Sequence, residues 1–223
     1  RKGEEIELDT RVIAYIVSQL QAYSLLESNV DVKGAAYEEI VGSNLRGDRG
    51  EFFTPRNICQ MVVKIINPKL DEKLLDSACG TGGFLVIAMN HCIQKIKASE
   101  KKRWRDPLNP TDNERMELYR KISDYSNNYV YGMDFNPNLV KATKMNMVMN
   151  NDGSGSIFQA NSLENPHAWS EDLRSNFNIK NREIGKFKII VTNPPFGTKI
   201  PVDDPKILEQ YDLAYIWDKN DEG

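Results

Sequence analysis

What this chain lacks narrows it first. No apolar run approaches the ~20 residues that span a bilayer, and the first ten residues are acidic and polar with no hydrophobic signal core. Membrane-spanning and secretory readings are therefore set aside. Cysteine occurs three times, at Cys59, Cys79 and Cys92, with no C-x-x-C pair. An odd, scattered set excludes a disulfide frame and a structural zinc site, and is what a cytoplasmic protein with reduced thiols carries. The two histidines, His91 and His167, have no Ser, Cys or Asp partner at a recognisable spacing, so triad chemistry is not supported. No metal site is expected. Basic excess is missing too: 29 Lys and Arg face 32 Asp and Glu, a net charge of −3. A stand-alone nucleic-acid binder usually displaces counterions with surplus cations, so if this chain acts on DNA, another component does the gripping.

What remains is a composition close to the globular average, 40% apolar and 27% charged, in a length suited to one α/β unit with a helical annex. Val12, Ile13, Ile16, Val17, Leu20 and Tyr23 recur at helical spacing behind Asp9 and Thr10, which predicts an amphipathic helix over 9–27. A second helix is expected from Val32 to about Leu45, before the glycine-punctuated loop 46–50. Thr54 reads as an N-cap with Pro55 at the first helical position, opening a helix that Asn67-Pro68 stops. A short buried strand at Lys73–Asp76 then runs through a glycine turn into a helix from Phe84 to about Lys97. Residues 98–127 read as a solvated, peripheral insertion with one helix from about Thr111 to Tyr125. Further strands are expected at Tyr129–Asp134, Ser156–Ala160 and Lys186–Thr192, with a helix opened by Pro137 between the first two.

Strands alternating with helices predict a parallel sheet wound by right-handed crossovers, with ligands at the carboxyl ends of the strands. The division expected is a helical segment over 1–49 and an α/β domain over 50–223. After Phe196 the sequence is loop-like to Gly223, which would leave the strongest strand at an uncovered edge. A truncated sheet is expected.

The chemistry sits at the strand ends. Gly80-Thr81-Gly82-Gly83 lacks the G-K-[ST] of a phosphate-binding loop, and Leu85 stands where a dinucleotide fingerprint needs glycine. What remains is Asp76 at a strand end, four residues before a tight turn whose amides face a helix N-terminus. Such a pair can hold a zwitterion, the carboxylate end at the helix and the ammonium at Asp76. S-adenosylmethionine carries both groups; the alternative is an ordinary βα turn with a capping acid. Asp134 ends the next strand, where nucleotide-binding α/β folds place an acid on ribose hydroxyls. Its alternative is a capping acid ahead of Asn136-Pro137.

Asn193-Pro194-Pro195-Phe196 is the sharpest signal. The exocyclic amine of adenine is a poor nucleophile because its lone pair is delocalised into the ring. Hydrogen bonds from that amine to the Asn193 side-chain carbonyl and the Pro194 main-chain carbonyl would expose the lone pair. The prolines fix the loop, and Phe196 offers a face for a flipped base. The alternative is a polyproline turn after a strand. Cys79 reads as a small buried residue, Met145, Met147, Val148 and Met149 as helix packing, and Lys101–Arg105 as a solvated charge run.

In the order Gly50-Glu-Phe-Phe-Thr-Pro-Arg56, Asp76-Ser-Ala-Cys-Gly-Thr-Gly-Gly-Phe84, Tyr131-Gly-Met-Asp-Phe-Asn-Pro137 and Asn193-Pro-Pro-Phe-Gly197, the sequence resembles the modification subunits of type I restriction-modification systems. These are adenine-N6 DNA methyltransferases. The resemblance covers about residues 32–200 and implies a Rossmann-like S-adenosylmethionine-dependent methyltransferase fold. It also implies that Glu51, Phe52, Phe53, Thr54, Pro55, Arg56, Gly80, Thr81, Gly82 and Gly83 line the cofactor pocket. Asp76 would face the methionine part and Asp134 the ribose, while Asn193, Pro194, Pro195 and Phe196 would hold the target adenine. Ser77 stands where the family usually has proline. At Ala160-Asn161 the family often shows Gly-Asp, the acid accepting from the cofactor's adenine amine; an asparagine oxygen accepts too, so Asn161 is carried over. The implied partners are DNA, reached through a complex, a specificity subunit that reads the DNA, a second modification subunit and a restriction subunit. Rival readings are an amine methyltransferase acting on RNA or a protein glutamine, and a non-catalytic scaffold that keeps the fold. The first generally lacks the Phe-Phe-Thr-Pro-Arg segment, and the second would show a replaced Asp76, Gly82, Asn193 or Phe196.

Overall fold

The computed structural model describes residues 8–22, 54–150, 154–177, 187–195 and 201–214. The expected helix at 32–45 and the loop after it lie outside the described residues. Four short parallel strands form one sheet: β1 (Leu74–Asp76), β2 (Val130–Asp134), β3 (Ile157–Gln159) and β4 (Ile189–Ile190), in the order β3-β2-β1-β4. The register pairs Asp76 with Gly132 and Asp134 with Gln159, so the acid-bearing ends of β1 and β2 lie side by side. The chain steps outward from β1 through β2 to β3, then returns to add β4 on the other side of β1. That reversal opens a crevice beyond the carboxyl ends of β1 and β4, where ligands bind in open parallel sheets. β4 lies at the edge with Ile190 well exposed, as its position after the last crossover predicts.

The helices are α1 (Thr10–Leu20), α2 (Arg56–Ile66), α3 (Gly83–Lys101), α4 (Asp112–Asn128), α5 (Pro137–Met149) and two short turns, α6 (Glu171–Asn176) and α7 (Pro205–Leu208). Asp9 caps α1 through a 2.8 Å bond from the Arg11 amide. α2 ends at Asn67, whose φ of 49° is the left-handed stop that Pro68 then enforces. α3 is buried nearly all round over Phe84–Met89; it packs with Cys59 and Val63 of α2, Leu74, Val130 and Val140 into the main core. Alternation along the strands sends Leu75, Tyr131 and Met133 to the other face, where Leu173, Phe177, Phe187 and Trp169 cover them. None of the described helices is long and apolar enough to cross a membrane.

Two local expectations change. Pro55 is the N-cap of α2 rather than its first helical residue, and Thr54 makes no cap bond. α4 is not wholly peripheral. A capping box sets its start, Glu114 accepting from the Thr111 amide at 2.7 Å. Its far half then buries Ile122, Tyr125 and Ser126, and Lys121 reaches the buried Glu100 of α3 at 2.9 Å. The polar composition of 98–127 concealed an inner stripe at helical spacing. Along α5, only Met147 of the Met145–Met149 cluster is buried as expected, Met145 and Val148 being exposed. The other inward positions include the polar Thr143 and Asn146.

Candidate active site

Beyond the strand ends lies a cleft of about 570 Å³. It brings together Thr54, Asp76, Gly80, Thr81, Gly83, Asp134, Asn161, Asn193, Pro194 and Pro195. These ten expected residues come from five segments that are remote in sequence. Pro55 and Arg56 at the start of α2, and Gly82 at the N-cap of α3, are outside the lining. Glu51, Phe52, Phe53 and Phe196 lie outside the described residues.

The glycine turn is held from behind. Gly80 and Gly82 adopt φ of 56° and 84°, a region that L side chains rarely enter. Thr143 of α5 donates its hydroxyl to the Gly80 carbonyl at 2.6 Å, and the Asn146 amide donates to the Thr81 carbonyl at 2.8 Å. A Cβ on Gly82 would stand 2.9 Å from Thr143 Cγ2. Close packing of turn against helix therefore requires glycine there twice over. Two polar residues one helical turn apart amid methionines are the sequence signal that would have revealed this support.

Neither acid caps a helix. The cap of α3 is Gly82, without a side-chain bond, and Asp76 instead accepts from the Ala78 amide at 3.2 Å while only 2% exposed. Asp134 accepts from the Gly80 amide and from the Asn136 amide, both at 2.9 Å; Asn136 itself caps α5. Burial pushes the Asp76 carboxyl up to about 7 and the charge of Asp134 adds to the rise, against hydrogen bonds from the Ala78 amide and the Thr192 hydroxyl. The Cys79 thiol is pushed well up by burial and by both carboxylates, which leaves it protonated and unreactive.

The lining carries five acidic residues, Asp76, Asp134, Glu164, Asp203 and Asp204, and among the described residues no Lys or Arg. Such a field repels phosphate, and the Gly80 amide that a phosphate would need is already engaged. It suits a ligand with cationic groups, hydroxyls and an apolar part that Phe135, Leu139 and Leu163 can meet. S-adenosylmethionine, with its sulfonium, ammonium and ribose, fits that donor set. The wall formed by Pro201–Asp204 and Ile207 was not signalled by any motif, and Ser77 and Phe135, which lie within the quoted motifs, were not assigned to the lining.

On the far side, Asn193 Nδ2 donates to Thr54 Oγ1 at 3.0 Å. Asn161 uses its side-chain oxygen to accept from the Leu163 amide at 3.1 Å, closing the loop after β3 at the rim of the cleft.

The family model for N-6 DNA methylases matches residues 28–219. The chain belongs to that family. Members of the N-6 DNA methylase family use S-adenosylmethionine as methyl donor. Over 168 residues the chain is 31% identical to the type I restriction enzyme EcoEI methylase subunit of Escherichia coli, covering 74% of this chain and 27% of that protein. Over 196 residues it is 25% identical to the type II restriction enzyme and methyltransferase RM.BcgI of Heyndrickxia coagulans, covering 85% of this chain and 26% of the relative. The chain thus spans about a quarter of the length of these relatives. Its fold matches a solved modification subunit from Vibrio vulnificus YJ016 with a TM-score of 0.50 at 24% identity, over 92% of this chain and 33% of that one. A chain from a type I restriction-modification assembly matches with a TM-score of 0.52 at 25% identity, over 81% and 30%.

Proposed function

We propose that this N-6 DNA methylase chain transfers a methyl group from S-adenosylmethionine to the N6 amine of adenine in DNA, as part of the modification subunit of a type I restriction-modification complex. The observation that carries the reading is one cleft holding both the acid pair behind the glycine turn and Asn193 of Asn-Pro-Pro. When bound, the cofactor supplies an electrophilic methyl on sulfonium, which needs little acid assistance. Asp76 attracts an ammonium and Asp134 accepts from ribose hydroxyls, fixing where the methyl points. Asn193 Oδ1 and the Pro194 carbonyl accept from the adenine amine and turn its lone pair toward the methyl. Proline at 194 keeps Asn193 out of helical space, and proline at 195 adds a second fixed φ. With a net charge of −3, this chain relies on a specificity subunit to read DNA; a second modification subunit and a restriction subunit complete the assembly, which acts in the cytoplasm.

The test is mass spectrometry of adenines in target DNA methylated by the assembled enzyme. Asn193→Ala should slow single-turnover methylation by at least ~100-fold, comparable to losing one oxyanion-hole donor, with little change in cofactor affinity. A near-normal rate would return Asn193 to a structural turn.

A further inference from the structure

We infer that Thr54 is a positioning residue for Asn193: its hydroxyl holds the Asn193 amide so that the side-chain oxygen faces the base. The inference rests on the proposed methyl transfer and deepens it, because the resemblance assigns the Phe-Phe-Thr-Pro-Arg segment to the cofactor alone.

The geometry is specific. Asn193 Nδ2 donates to Thr54 Oγ1 at 3.0 Å across 139 positions of sequence. Among the described residues no donor meets Asn193 Oδ1, so the acceptor end of the amide is left for a ligand. A primary amide that accepts from a base must not rotate to present its NH2 group, which would repel the amine hydrogens it is meant to bind. Here the NH2 end is engaged by the Thr54 oxygen, which leaves Oδ1 as the end open to the base. Thr54 is itself placed for the task. It does not cap α2, since Pro55 is the N-cap, so its hydroxyl is not consumed by the helix. Its carbonyl accepts from the Cys59 thiol at 3.8 Å, and Cys59 is fully buried in the main core. The start of α2 therefore anchors Thr54, and Thr54 in turn anchors a loop that follows the edge strand β4. Both residues line the same cleft. The neighbouring Pro194 restricts the Asn193 backbone but leaves its side-chain torsions to be set by a partner. Ordering that side chain before the base arrives removes a cost from the transition state.

The experiment uses the assembled enzyme with Thr54→Val, which keeps the shape and removes the hydroxyl, and Thr54→Ser, which keeps it. Single-turnover methylation is read alongside S-adenosylhomocysteine binding by calorimetry and the melting temperature. Thr54→Val should slow methylation about tenfold, as expected for one oriented hydrogen bond, with cofactor affinity and melting temperature within error, and Thr54→Ser should restore most of the rate. On an Asn193→Ala background Thr54→Val should cost no more than about twofold, because the residue it positions is gone. A tenfold loss that persists on that background, or a matching loss of S-adenosylhomocysteine affinity, assigns Thr54 to the cofactor and overturns the inference. So does an unchanged rate in Thr54→Val. Each of those results leaves the proposed function standing provided that Asn193→Ala alone is slow; a normal rate in Asn193→Ala removes both.

Discussion

The Gly80 amide donates to Asp134 Oδ2 at 2.9 Å, tying the turn after β1 to the end of β2 across 54 positions of sequence. One carboxylate thus shapes the loop on one side of the cleft and faces the ligand space on the other. Replacement should therefore weaken binding through two routes. In the complete protein, Asp134→Ala should lower S-adenosylhomocysteine affinity by ~10-fold or more, as for a lost charge-assisted bond. Asp134→Asn, which keeps an acceptor for Gly80, should fall between. Calorimetry that finds the alanine variant unaltered would remove Asp134 from the pocket.

Gly82 and Thr143 should be coupled in stability. Gly82→Ala forces a side chain into φ of 84° and places its methyl 2.9 Å from Thr143 Cγ2. The left-handed backbone alone costs ~1 to 2 kcal/mol, or a few degrees in melting temperature at this size. Adding Thr143→Ser deletes the obstructing methyl and keeps the hydroxyl that binds the Gly80 carbonyl. The double variant should recover the steric part of the loss and retain the backbone part; a thermal melt showing simple additivity would contradict the packing.

Asp76 sets a pH dependence whose sign differs for folding and for binding. Its carboxyl is raised from 3.8 to about 7 in the folded chain, chiefly by burial. The stability it contributes is complete below 3.8 and is lost as pH rises through 7. Asp76→Asn should therefore stabilise the unliganded protein at pH 8 and have less effect at low pH. Binding runs the other way, since an ammonium needs the ionised carboxylate. Affinity for S-adenosylhomocysteine should rise about tenfold from pH 6 to pH 8. The asparagine variant should bind weakly with no such slope, and a wild-type profile flat over that window would rule out Asp76 as the titrating partner.

DNA affinity should reside mainly outside this chain. Its net charge is −3 and the cleft carries acids without a cation among the described residues, so little counterion release is available. Filter binding with this chain alone should retain duplex only weakly at moderate salt. Tight, sequence-specific retention without added protein would overturn the need for a reading partner.

The motifs were legible because their chemistry is local. Strand, glycine turn and helix follow within 74–101, and Asn136-Pro137 opens α5 as the residue types predict. Local signals misled where burial is decided by a neighbour. Thr54 has the residue type and position of an N-cap, yet its hydroxyl takes a bond from Asn193 instead. Residues 98–127 are polar on average, and only docking on α3 shows that Ile122 and Tyr125 face inward.

From sequence alone came the parallel α/β class, the order of its strands and helices along the chain, and the identity of the acids and the Asn-Pro-Pro loop. Periodicity, turn residues and side-chain chemistry are properties of neighbouring positions. Only the tertiary structure decided that β4 pairs on the free side of β1. That single pairing brings Asn193 into the cleft that the glycine turn lines and to Thr54. The reason is physical: each strand end carries one or two polar groups, and a cleft exists only where the sheet reverses its winding and leaves those ends uncovered by a crossover.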